Sequence, residues 1–164
     1  MRRFAIITGI LVLISLSVAV AQINEPPLPP NLKIIPPGAE VPPRLAQLSG
    51  IWEGAWNFEA PSGGGSRHLF QMDIMGRGFK IAVINITPPK VQAIFSSGGS
   101  PQNPGKWFLV RDGSVSQDSI VLKWGQPGKA RTLTLTPSGT PGVAQASLQA
   151  EDFAHILKST ARKK

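Results

Sequence analysis

The chain has 164 residues, a formal net charge of +8, and 41% hydrophobic but only 16% charged side chains, which suits one domain with short appendages. Cysteine is absent, which excludes disulfides, thiolate metal sites, a cysteine nucleophile and a lipid-modified cysteine. Six of the basic residues sit at the two ends (Arg2, Arg3, Lys158, Arg162, Lys163, Lys164), and without them the body is nearly neutral, which argues against a nucleic-acid reader built on a basic face.

Residues 1–21 read as a secretory signal. Met1-Arg2-Arg3 is followed by an apolar run from Phe4 to Val18 and then by Ala19-Val20-Ala21, whose small residues fit a cut before Gln22. The alternative is an uncleaved anchor, because Phe4 to Ala21 is just long enough to cross a bilayer. Thr8, Gly9, Ser15 and Ser17 weaken that run as a permanent span, so the expectation is an exported chain, periplasmic or secreted, with no transmembrane span after cleavage.

Residues 22–44 form a proline-rich linker. Eight of the sixteen prolines fall here as four Pro-Pro pairs. Proline fixes φ and removes the amide donor, so neither a helix nor an interior strand is expected. The reading is a polyproline II spacer, up to roughly 65 Å long at about 3.1 Å per residue. A docking peptide around Pro27–Pro30 is the sharper alternative.

The domain occupies residues 45–164. Its first stretch, Leu48 to Glu59, alternates with period two: Trp52, Gly54, Trp56 and Phe58 share one face, while Ile51, Glu53, Ala55, Asn57 and Glu59 share the other. A glycine between two tryptophans marks a bend or a close approach by another group. Further strands are expected at 67–75, where His68, Phe70, Met72 and Ile74 alternate, and at 79–86, 91–95, 107–110, 119–124, 130–136 and 143–148. Residues 153–161 read as a closing strand in preference to a short helix. Eight or nine short strands at intervals of about ten residues, without helical periodicity, predict an all-β antiparallel sandwich or up-and-down barrel.

Gly50-Ile51-Trp52, opening the first strand of such a pattern, resembles the glycine-x-tryptophan start of lipocalins and related calycin barrels. With Gly54-Ala55-Trp56 it is similar to small bacterial lipocalin-like domains that begin GxWxGxW. The resemblance implies a lipocalin-like barrel with a ligand cup. It also implies a late-strand arginine against the tryptophan, a part open to Arg131 or Arg162.

Catalytic chemistry is hard to find in the sequence. Glu53 and Glu59 share a strand face but lie about 20 Å apart along it, against the 5 to 10 Å that paired glycosidase carboxylates need. His68 and His155 are the two histidines, and only Asp152 lies near one of them at ligand spacing. No G-x-S-x-G elbow and no S-x-x-K occurs. No catalytic residue, metal site or cofactor is therefore assigned. The candidate ligand-binding residues are Trp52, Gly54, Trp56, Phe58, Phe70, Met72 and Trp124, on faces that turn inward. Two functions remain open: a non-catalytic barrel binding a small apolar or amphipathic ligand, or a cell-envelope or protein-interaction module with a filled core. The basic C-terminal end suggests weak contact with an anionic surface.

Overall fold

The computed structural model describes residues 25–57, 78–99 and 105–164. Eight antiparallel strands pair in sequence order and close on themselves, so the chain is an all-β up-and-down barrel. They are β1 (Gly50–Ala55), β2 (Gly78–Thr87), β3 (Lys90–Ser97), β4 (Lys106–Ser116), β5 (Ser119–Trp124), β6 (Arg131–Pro137), β7 (Val143–Ala150) and β8 (Phe153–Lys163). Residues 153–161 thus belong to a strand, as their sequence suggested. The signal segment, the expected strand at 67–75, and His68 and Glu59 with it, lie outside the described residues.

Period-two alternation builds the interior. Ile120 and Leu122 on β5, Leu133 and Leu135 on β6, and Ala144, Ala146 and Leu148 on β7 are all buried on the inner face. The outer row of β6 and β7 pairs Thr132 with Gln149, Thr134 with Ser147 and Thr136 with Gln145, polar side chains suited to water. The closing β1–β8 seam is short. It consists of Trp52 opposite Lys163 and Glu53 opposite Arg162, followed by an isolated bridge between Asn57 and Lys158.

One end of the barrel is plugged. A single helical turn, α1 (Pro43–Ala46), starts with proline at its first position, where no amide donor is needed, and carries Arg44 in its last turn. Leu45 within it and Leu48 just after it are 2% and 0% exposed and join the core. Arg44 forms an ion pair with Asp118 in the β4–β5 turn at 2.6 Å, which fixes α1 at the end holding the β2–β3, β4–β5 and β6–β7 turns.

The proline-rich stretch lies along the barrel instead of standing away from it. On β2 and β3 the outward positions Lys80, Ala82, Ile94 and Ser96 are as buried as the inward ones, and Lys80 opposes Ser96 while Ala82 opposes Ile94. The cover is the chain before α1. Glu25 takes a hydrogen bond from Lys80, and the Pro27 carbonyl takes one from Ser96. Ile35 donates its amide to the Ile84 carbonyl at 2.8 Å. Pro26 is buried, and a Cβ at Gly105 would stand 2.9 Å from the Pro27 ring, so only glycine lets the strap pass that closely. Proline cannot donate to a ladder, yet its ring and carbonyl remain available, and the strap uses both.

Removing residues 22–35 should therefore uncover Ala82 and Ile94 and lower unfolding free energy by about 2–4 kcal/mol, the scale of one or two large apolar side chains. Urea denaturation of the shortened chain checks this; an unchanged midpoint would mean that the strap rests on the barrel without stabilising it.

Candidate functional site

β1 faces inward through Trp52, Gly54 and, just beyond its end, Trp56. Trp52 is 1% exposed, and its indole N–H donates to the Leu48 carbonyl at 2.7 Å, satisfying the polar edge that a buried indole carries. The cation over its ring is Lys163, with Nζ 5.7 Å from the ring centre and also donating to the Gln47 carbonyl at 3.1 Å. Neither arginine expected from sequence fills that place. Arg131 lies at the other end of the barrel, donating to both oxygens of Asp152 at 2.7 and 3.1 Å. That hydrogen bonding holds the Asp152 carboxyl below its ordinary range. Arg162 stands opposite Glu53, one residue before Lys163. Lysine reaches the ring because Lys163 is the β8 residue in register with Trp52.

The space above Gly54 is occupied. A Cβ at that position would meet the Phe79 ring at 2.6 Å and Ser159 Oγ at 2.9 Å. Phe79 is 1% exposed and stacks on Trp56 with ring centres 4.2 Å apart. The glycine admits a ring of the protein itself. Ser159 is tied to β1 as well, donating to the Ala55 carbonyl at 2.7 Å.

Trp124 lies away from these residues, near the end of the barrel opposite α1. It stacks on Phe95 at 5.0 Å and tilts against Phe108 at 5.2 Å, and Phe95 and Phe108 are 5.6 Å apart. Phe95 is buried, whereas Phe108 and Trp124 are half-buried, so water reaches part of the three-ring surface. The candidates taken from sequence thus divide into two groups, Trp52, Gly54 and Trp56 in the packed interior and Trp124 in the ring cluster. Phe58, Phe70 and Met72 lie outside the described residues. Sequence reasoning missed Phe79, Phe95 and Phe108, although each stands at an inward position of a strand. Phe95 and Phe108 are directly opposed across β3 and β4.

Charge gathers outside the barrel, on β1 and β2. Glu53 opposes Lys80 in the register. Lys164 Nζ lies 2.9 Å from Glu53 and 3.8 Å from Glu25. The Lys80 hydrogen bond, helped by the charges of Lys80 and Lys164, keeps the Glu25 carboxyl below its ordinary range. Lys163 and Lys164, counted at sequence level as part of a basic tail, are engaged with the barrel. Among the described residues, no group of three or more histidines, aspartates or glutamates is arranged to hold a metal ion, and no helix is long and apolar enough to cross a membrane. Comparison of the chain with protein-family models, with curated proteins and with solved structures gives no match.

Two tests follow from this geometry. Gly54→Leu should overpack the interior and cost about 1–3 kcal/mol. Adding Phe79→Ala should recover part of the loss, because the ring is what the new side chain meets; a purely additive double variant in a denaturation cycle would place the strain elsewhere. Glu25 titrates with a lowered folded pKa, so its contribution to strap docking is present above the ordinary carboxylate value and is lost as pH falls through the folded one. The protection of the Ile35 amide, the slowing of its exchange relative to a free peptide at the same pH, should accordingly fall on acidification, and Glu25→Gln should lower it at neutral pH and remove that dependence.

Proposed function

We infer that the chain is an exported, non-enzymatic binding barrel of lipocalin-like type, and that it takes a small apolar or amphipathic ligand on the Phe95–Phe108–Trp124 rings. The observation carrying this reading is the cluster itself: three aromatic rings in mutual contact, two of them half-buried and so partly open to water, at the end that α1 does not plug. Aromatic faces left wet at a barrel end offer a flat apolar ligand stacking area that a packed interior does not. Arg131, in register with Trp124 and paired with Asp152, puts a polar ion pair at the same end, suited to the polar part of an amphipathic molecule. The lipocalin kinship rests on Gly50-Ile51-Trp52 and Gly54-Ala55-Trp56, on the eight-strand barrel that they open, and on a cation from the last strand lying over the first tryptophan.

One observation favours the second reading, an interaction module with a filled core. Phe79 fills the space over Gly54, so a deep cup below the rings has no support at that point.

The test uses the chain beginning at Gln22, which contains every residue of the described fold. A panel of apolar and amphipathic ligands should quench its tryptophan fluorescence saturably, and Trp124→Ala should abolish the response and weaken binding about tenfold or more by calorimetry, while Trp52 stays buried. Indifference to the whole panel, with no ligand retained in native mass spectrometry, would leave the interaction module standing.

A further inference from the structure

The outer side of β4 is apolar where a half-solvated strand is ordinarily polar. Trp107 and Leu109 are 46% and 41% exposed. They are two residues apart and therefore side by side, about 7 Å along one face. Between and beyond them Phe108 and Val110 point inward, so this part of β4 is apolar on both faces. Single exposed hydrophobics are unremarkable, but two adjacent large ones on one strand call for a partner. Within the barrel their neighbours across the ladder are Ser96 and Ile94, which the strap already covers. Trp107 and Leu109 themselves remain in water.

The surroundings say what kind of partner fits. Arg111 is exposed on the same face of β4, Lys106 is exposed at the strand's start and Lys123 on the next strand, against one exposed carboxylate on β4, Asp112. The exposed charges nearest this face are mostly of one sign, which works against pairing it with a second copy of itself. A tryptophan and a leucine flanked by basic side chains have the chemistry of an interfacial contact: the indole settles at headgroup depth, the leucine reaches the acyl boundary, and the cations meet lipid phosphates. The basic C-terminal end is less suited to this task, because Lys163 and Lys164 are occupied by Trp52, Gln47, Glu53 and Glu25.

We propose that the Trp107–Leu109 face of β4, with Arg111 and Lys123, is a docking surface for an anionic lipid bilayer. The proposal goes beyond ligand binding and stands apart from it, since neither side chain belongs to the three-ring cluster. A barrel held in this way rests its β4–β5 side on the lipid.

Vesicle co-sedimentation of the chain beginning at Gln22 tests it, with phosphatidylcholine alone and with phosphatidylcholine containing phosphatidylglycerol. Binding should require the anionic lipid and weaken as salt rises. Trp107→Ser with Leu109→Ser should lower the partition coefficient about tenfold or more, and Arg111→Glu with Lys123→Glu should do the same, both without moving the thermal midpoint. Binding that survives the serine pair would overturn the proposal, as would indifference to both kinds of vesicle. Sedimentation showing a dimer that the serine pair dissociates would likewise overturn it, assigning the face to a second copy of the chain.

Discussion

A buried indole must find an acceptor for its N–H, and the way Trp52 does so ties together three separate parts of the chain. Its acceptor is the carbonyl of Leu48, in the turn that leads from the plugging helix into β1. The same ring lies under Lys163, from the last strand, whose ammonium also holds the Gln47 carbonyl. Plug, first strand and last strand therefore meet on one side chain. With only two residue pairs in the adjoining seam, the ring and its cation supply much of what keeps that end shut. Losing the indole would leave a large cavity and a freed Leu48 carbonyl at a point where the sheet ladder is thinnest.

Away from that point the barrel is built from packing rather than from polar networks. The two aromatic groupings differ in kind. Trp56 and Phe79 are buried and fix the inward path of β1, whereas Phe108 and Trp124, packed around a buried Phe95, stay in partial contact with water. This division separates structure from candidate function within one interior. The outer surface divides as well: a strap-covered side over β2 and β3, an apolar rim on β4, and rows of threonine, serine and glutamine on β6 and β7.

The sequence made the barrel legible wherever alternation was clean. β2, β3, β5, β6, β7 and β8 fall where their apolar residues recur every second position. β4 was read as four residues and runs for eleven, because a register shift opposite Val91–Ala93 interrupts its alternation and Gly113 looks like a turn residue. The strap was read as a free spacer because prolines are excluded from ladders; its docking uses a carbonyl, ring surfaces and one carboxylate, none of which leaves a periodic trace. Lys80 and Ser96 fall at positions that alternation assigns to water, and only the strap explains their burial. Phe79 over Gly54 and Lys163 over Trp52 are contacts set by register, which one chain read alone does not reveal.

The short seam between β1 and β8 bears on how the molecule comes into being. Residue 52 must wait for residue 163, so the ring of strands cannot shut until nearly the whole chain has left the ribosome. Every other ladder joins neighbours in sequence and can form as the chain lengthens, leaving one costly loop to close at the end. During synthesis the polypeptide is thus an incomplete curved sheet with two unsatisfied borders.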